Sequence, residues 1–159
     1  MKKVIYISAS SLPSNTANSI HVVNMAKSLS KKYTVELYAR KADYNLTKEK
    51  IVKFYGIENY NINLQLIYYP FPRFIEFFVT ILFLIKNFYK LNTTHKVISR
   101  NLFSSFVLSI IFKKVDSIYE THTPERGIRS FFQKKILLNK QSKVIVISKA
   151  LKQILISKY

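Results

Sequence analysis

Short apolar, β-branched runs alternate along this chain with longer segments of helical character, and this alternation constrains the fold most. Several runs are almost continuously apolar, as buried parallel strands tend to be. The predicted strands are Val4–Ser8, Thr34–Ala39, Leu64–Tyr68, Lys96–Ser99, Ser117–Glu120 and Lys143–Ile147. The predicted helices are 19–31, 47–55, 73–91, 102–113, 126–139 and 149–157. The pattern predicts an α/β fold: a Rossmann-like, doubly wound parallel sheet of about six strands with helices on both faces.

Local signals support these helices. Asn18 and Ser19 are expected to cap the first helix, and Gly56 to end the second. Pro72 suits the first turn of the aromatic helix, where a missing N–H costs nothing. That helix is expected to bury its apolar side chains in the core, although a partner-binding surface is the alternative. The side chains concerned are Phe74, Phe77, Phe78, Ile81 and Phe88.

Length and composition fit one globular domain over residues 1–159, because 48% of the residues are hydrophobic. The absence of cysteine excludes disulfides and thiolate metal sites. The apolar run Val4–Ile7 is too short for a secretory signal. The longest apolar stretch, Phe74–Ile85, is too short to cross a bilayer. These features predict a protein that is soluble or peripheral to a membrane, and the absence of cysteine fits a reducing cytoplasm.

The charge is strongly unbalanced, with 26 Lys and Arg against 8 Asp and Glu, a formal net charge of +18. Such a chain attracts anions: nucleic acid, lipid head groups or phosphorylated substrates. Part of the excess fits an AT-rich coding sequence, since Lys, Ile, Asn, Tyr and Phe are abundant while Gly is scarce. Because the lysines are dispersed and no recognition signature is present, nucleic acid ranks last among the candidate partners.

In a doubly wound sheet, ligands bind beyond the carboxyl ends of the strands. The first such loop is small and polar and enters a helix, which suits anion or sugar binding. An ordinary capped loop is the alternative. The loop contains no glycine, so it is not a dinucleotide fingerprint. Its candidate residues are Asn15, Thr16, Asn18 and Ser19.

Three later strand ends also carry candidates. Arg100 can hold a phosphate or carboxylate in bidentate fashion, or can be a surface arginine. After the fifth strand, His122 can hydrogen-bond a sugar hydroxyl or a developing charge, or be structural. Glu120 either faces the same cleft or ends the strand by accepting backbone N–H groups. Ser148 is by default the N-cap of the last helix. Three scattered histidines do not make a zinc site, and no P-loop or nucleophile elbow is present.

Together these strand ends resemble the N-terminal domain of the family-4 retaining glycosyltransferases of the GT-B type. The resemblance runs in order over essentially the whole chain, although the Gly-Gly pair that many relatives carry in the first loop is missing. The segments that carry it are Pro13–Leu29, Ile98–Asn101, Tyr119–His122 and Val144–Leu151.

The resemblance implies transfer of a sugar from a nucleotide-sugar donor to a saccharide or lipid-linked acceptor, with retention and without a metal or other cofactor. By motif position it makes His122 the cleft histidine near the transferred sugar, and therefore the catalytic candidate. It sets the Asn15–Ser19 loop against the donor phosphates and acceptor, and Arg100 and Glu120 on the acceptor side.

In that family the groups that grip the nucleotide lie in a second, C-terminal Rossmann-like domain, absent from these 159 residues. We therefore expect the acceptor-side half of a GT-B enzyme, inactive alone and completed by a donor domain in cis or in trans. The alternative is a basic domain, without catalysis, that binds an anionic membrane surface or a protein partner.

Overall fold

The computed structural model describes residues 1–68 and 76–159. The strands are β1 (Lys3–Leu12), β2 (Thr34–Lys41), β3 (Ile62–Ile67), β4 (Lys96–Ser99), β5 (Ser117–Thr121) and β6 (Lys143–Val146). The helices are α1 (Ala17–Ser30), α2 (Lys48–Tyr55), α3 (Glu76–Lys86), α4 (Phe88–Thr93), α5 (Leu102–Phe106), α6 (Ile128–Leu138) and α7 (Lys149–Lys158). A π-helical segment, Val107–Ile111, continues α5.

The strands form one parallel sheet in the order β3-β2-β1-β4-β5-β6, flanked by helices. This order is the one found in doubly wound nucleotide-binding folds. All six predicted strands are present, so the predicted Rossmann-like α/β fold is confirmed.

The chain divides into two compact units, Met1–Phe71 and Pro72–Tyr159. In the first unit, β2 pairs in parallel with both β1 and β3. Both β1 and β2 are buried along most of their length, because side chains pack on both faces of the sheet. Its fully buried side chains include Ile5, Tyr6, Val22, Leu37 and Ile51.

In the second unit, β5 pairs in parallel with β4 and β6. Its core is built on Leu102, Tyr119 and Ile136, which come from α5, β5 and α6. Aromatic rings extend this core, since Phe132 on α6 lies 4.9 Å from the ring of Phe106 and 5.4 Å from that of Phe103. These edge-to-face contacts hold α5 and α6 together above the sheet.

The two glycines of the chain both occupy left-handed backbone positions. Gly56 ends α2 at φ 57°, as the sequence predicted, and its N–H bonds the carbonyls of Val52 and Lys53. Gly127 precedes α6 at φ 55°. Any side chain would be strained at either position, so the few glycines of this sequence lie where the backbone requires them.

The aromatic helix differs from the prediction in two ways. The predicted helix 73–91 is two helices, α3 and α4, interrupted at Asn87, whose side chain donates to the carbonyl of Phe83 at 2.8 Å. Pro72 and Phe74 lie outside the described residues. The expected burial of the aromatic side chains is wrong for Phe78 and Phe88, which are 64% and 39% exposed.

The exposed side chains of this region form a stripe. Phe78, Leu82, Ile85 and Tyr89 follow one another at spacings of four, three and four residues, and are 58–82% exposed. The three in α3 share one helical face, while Thr80 and Leu84 on the other side are buried. Within the described residues, no helix is long and apolar enough to cross a membrane.

Candidate functional site

The loop after β1 is ordered by its own polar side chains. The N-cap of α1 is Thr16, whose side chain accepts from the backbone N–H of Ser19 at 3.4 Å. The predicted caps, Asn18 and Ser19, are therefore wrong: both lie inside the first turn of the helix. The physical reason is that the backbone becomes helical at Ala17, so Thr16 is the last extended residue.

Asn18 and Ser19 instead tie the first turn of α1 back to β1. The Asn18 amide donates to the hydroxyl of Ser10 at 2.6 Å, and the Ser19 hydroxyl donates to the carbonyl of Ser11 at 3.1 Å. The Asn18 Oδ1 is buried and accepts no hydrogen bond from any described residue. Of the predicted loop residues, Asn15 and Thr16 are the exposed ones, and a ligand can reach them directly.

The same loop is fastened to α2 by a tyrosine. The Tyr55 hydroxyl accepts from the N–H of Ser14 at 2.7 Å and donates to the carbonyl of Ser14 at 2.8 Å. Partial burial raises the pKa of Tyr55 above its ordinary value. A phenol is protonated at neutral pH in any case, so this hydroxyl can donate one bond and accept the other. The loop is thus a preformed surface, with its backbone fixed just before Asn15.

The second unit carries a buried ion pair at the carboxyl ends of β4 and β5. Arg100 Nη1 lies 3.2 Å from Glu120 Oε1, and the two side chains are only 6% and 1% exposed. The pairing follows from strand register, because Ser99 lies opposite Tyr119 and the next residues are therefore neighbours. The alternative of a surface arginine is wrong. Arg100 Nε is buried with no hydrogen-bond partner among the described residues.

Asn101 secures the backbone beside that ion pair. Its side-chain oxygen caps α5 by accepting from the N–H of Ser104 at 2.8 Å, and its amide donates to Glu76 Oε1 at 2.8 Å. The Ser99 hydroxyl donates to the carbonyl of Asn101 at 3.0 Å. These bonds hold the turn between β4 and α5, and with it the backbone from which Arg100 extends.

His122 follows β5 directly and is half-buried. The loop that carries it is held by Gln133, a fully buried residue of α6. The Gln133 amide donates to Thr121 Oγ1 and to the carbonyl of Thr123, each at 3.0 Å. Its carbonyl oxygen accepts from the N–H of Glu125 at 2.8 Å. Gln133 therefore determines the path of the His122 loop.

Further contacts complete this network. The Gln133 amide also lies 3.3 Å from the Tyr119 hydroxyl, and the Tyr159 hydroxyl donates to Gln133 Oε1 at 3.1 Å. Burial raises the pKa of Tyr119 above its ordinary value. Arg129 and Glu125 form a hydrogen-bonded ion pair at 2.8 Å, which raises the pKa of Arg129. Gln133 was not among the predicted site residues, because a glutamine followed by two lysines in a helix is typical of a solvent-exposed face.

Ser148 caps the last helix, as the sequence predicted. It is the N-cap of α7, and its hydroxyl accepts from the N–H of Leu151 at 3.1 Å. This bond satisfies one of the otherwise unpaired N–H groups of the first turn. Ser148 is exposed. Its predicted contact with a ligand stays a prediction.

The described strand ends offer polar recognition groups and no metal centre. Over residues 1–68 and 76–159, no group of three or more His, Cys, Asp or Glu side chains could hold a metal ion. The chain matches no protein-family model, and no curated protein is significantly similar to it. The fold and these strand ends are therefore the features from which a function can be inferred.

Proposed function

We propose that this chain is the acceptor-binding half of a retaining glycosyltransferase that acts in cell-surface glycan synthesis. The observation that carries the proposal is the buried Arg100–Glu120 pair, which lies one residue before the half-buried His122 loop. Ligands bind at this end of the strands in open α/β sheets. Arg100 Nε, buried without a partner among the described residues, is a spare donor at that end.

The groups available suit a saccharide. Sugar hydroxyls both donate and accept hydrogen bonds, which matches a mixed set of imidazole, carboxylate, guanidinium and amide side chains. In this proposal His122 contacts the transferred sugar, Arg100 and Glu120 shape the acceptor side, and Asn15 and Thr16 form the exposed rim of the first loop. Asn18 and Ser19 support that loop through β1 rather than facing the ligand.

The nucleotide-sugar donor, in this proposal, is held by a second Rossmann-like domain in cis or in trans, and the chain alone is inactive. Stabilisation of the departing nucleoside diphosphate needs cationic or N–H donors aimed at its phosphates. The role implies a cytoplasmic location, where nucleotide sugars are made, at the inner face of the membrane when the acceptor is lipid-linked.

Binding to an oligosaccharide array tests this function. We expect the wild-type chain to bind a restricted set of saccharides, and His122→Ala to weaken that binding about fivefold, as loss of one hydrogen bond does. His95→Ala is the matched control, because His95 is an exposed histidine just before β4 and should leave binding unchanged. Absence of saccharide binding, or equal losses in both variants, contradicts the proposal.

A second candidate function is docking on an anionic membrane, and the stripe Phe78, Leu82, Ile85 and Tyr89 favours it. Apolar side chains on one helical face can enter the interfacial layer of a bilayer. The net charge of +18 adds attraction to acidic lipids. This function is compatible with the first, since lipid-linked acceptors lie in the same layer.

Co-sedimentation with vesicles tests the membrane function. We expect binding to vesicles that contain phosphatidylglycerol, and Leu82→Gln to weaken it about tenfold by removing one inserted side chain. Leu138→Gln is the control, because Leu138 is 57% exposed but lies on α6, away from the stripe. Binding that ignores lipid charge and salt, or that falls equally in both variants, contradicts docking by this face.

A further inference from the structure

A cavity of about 250 Å³ lies in the second unit, and it touches the candidate site at Ser99, the last residue of β4. Its exposed lining residues come from the segments that lead into β5 and β6, at the amino ends of those strands, whereas the candidate site lies at the carboxyl ends of β4 and β5. Its buried lining includes Leu108 and Ile136, both 0% exposed, and Tyr119. The buried lining is therefore mixed, since it also includes Ser99 and Ser105, and the entrance faces solvent.

The entrance is cationic. Lys113, Lys114 and Lys143 line it together with Asp116. The Asp116 carboxylate forms ion pairs with Lys143 at 2.5 Å and with Lys96 at 3.1 Å. The hydrogen bond from Lys143 is the main cause of the lowered pKa of Asp116. No described carboxylate pairs with Lys113 or Lys114. Two ammonium groups are thus available to an anion at this entrance.

Two further features point to a ligand here. Ser142 Oγ is buried against the cavity and has no hydrogen-bond partner among the described residues. The wall that carries Leu108 and Ser109 is the π-helical segment Val107–Ile111. π-Helical turns are rare and frequently occur at functional sites. A polar group buried without a partner costs free energy that a bound ligand can recover.

We propose that this cavity binds an organic phosphate monoester, with the phosphate between Lys113 and Lys114 and the organic body against Leu108 and Ile136. A phosphate monoester carries nearly two negative charges at neutral pH, which matches the two ammonium groups. A cavity of about 150 Å³ already admits benzene, so one of 250 Å³ accommodates a ring-sized body. This site is independent of the proposed glycosyltransferase function.

Titration of the whole chain with phenyl phosphate tests the site. Calorimetry measures the Kd, and methyl NMR shows which residues the ligand contacts. We expect saturable binding that shifts the methyl resonances of Leu108 and Ile136. The double variant Lys113→Gln/Lys114→Gln should raise the Kd about tenfold, because it removes both charge-assisted contacts. Lys48→Gln/Lys50→Gln removes the same charge from exposed positions on α2 and should leave the Kd unchanged.

Two results would overturn the proposal. Equal weakening in both double variants would mean that phenyl phosphate responds to the overall charge of +18 and not to this entrance. If benzyl alcohol bound as tightly as phenyl phosphate, the phosphate would contribute nothing to binding. If phenyl phosphate bound without shifting the resonances of Leu108 and Ile136, it would bind outside the cavity.

Discussion

Arg100→Met is expected to lower the free energy of unfolding by about 3–5 kcal/mol, because it removes the cation that balances a buried carboxylate. The side chain of Glu120 is 1% exposed, so water cannot replace the guanidinium. A methionine fills much of the same volume, which separates loss of charge from loss of packing. Urea denaturation of the wild type and the variant measures the difference.

The double variant Arg100→Met/Glu120→Met tests the electrostatic reason. With both charges replaced by apolar groups, we expect most of the lost stability to return, since well-packed hydrophobic residues substitute for buried ion pairs at little cost. Lys143→Met is the control for an exposed pair, because Lys143 and Asp116 are 58% and 40% exposed. It should cost less than about 1 kcal/mol. If Arg100→Met also lowered the free energy of unfolding by less than about 1 kcal/mol, the Arg100–Glu120 pair would be solvated.

Gln133→Leu is expected to cost about 3 kcal/mol, because it removes several hydrogen bonds at once from a site without water access. Leucine has a similar size, but the N–H of Glu125 loses its partner and the carbonyl of Thr123 keeps only the Thr121 hydroxyl at 3.3 Å. We also expect the His122 loop to lose its order, since these are the bonds that hold it. Thermal unfolding and amide hydrogen exchange of residues 121–125 measure the two effects.

Gln153→Leu is the control for Gln133→Leu. Gln153 is an exposed glutamine of α7, so its replacement should change stability by less than about 0.5 kcal/mol. Unchanged hydrogen exchange in residues 121–125 of Gln133→Leu would mean that the loop is held by other contacts. In that case Gln133 would not be a positioning residue for His122.

The fold was predictable because each strand is a short, self-contained apolar run. β4 was predicted to the residue, and β5 within one residue, because each is centred on a β-branched or aromatic apolar pair, Val97-Ile98 and Ile118-Tyr119. The end of α2 was predictable from Gly56, which is one of only two glycines in the chain. The single-domain prediction for residues 1–159 stays a prediction, and so do the family resemblance and the ligand contacts of the site residues.

The errors arise where tertiary structure or backbone geometry decides between equal local signals. Thr16, Asn18 and Ser19 are all good capping residues, and only the point at which the backbone turns helical selects Thr16. The break at Asn87 lies in a run with no proline or glycine to mark it. Hydrophobicity alone cannot show that Phe78 faces solvent while Leu84 is buried.

The candidate site was partly predictable for the same reasons. Arg100 and Glu120 were identified from their positions at strand ends, but their mutual ion pair depends on the register of β4 and β5. Gln133 lies only eight to twelve residues after the loop groups that it bonds, but no sequence signal shows that its side chain turns back toward them. Its role follows from the packing of α6 over β5, which no local pattern encodes.

We propose that the carboxyl ends of β4 and β5 bind a saccharide acceptor. The most direct test is an amide NMR titration of the whole chain with the oligosaccharide that binds most tightly on the array. A separate titration with UDP-glucose, a nucleotide-sugar donor, is the comparison. We expect saturable shifts at Ser99–Asn101 and Thr121–Thr123 with the oligosaccharide, and much weaker binding of UDP-glucose at these residues. No saccharide response at these strand ends, or shifts confined to exposed lysines, would contradict it.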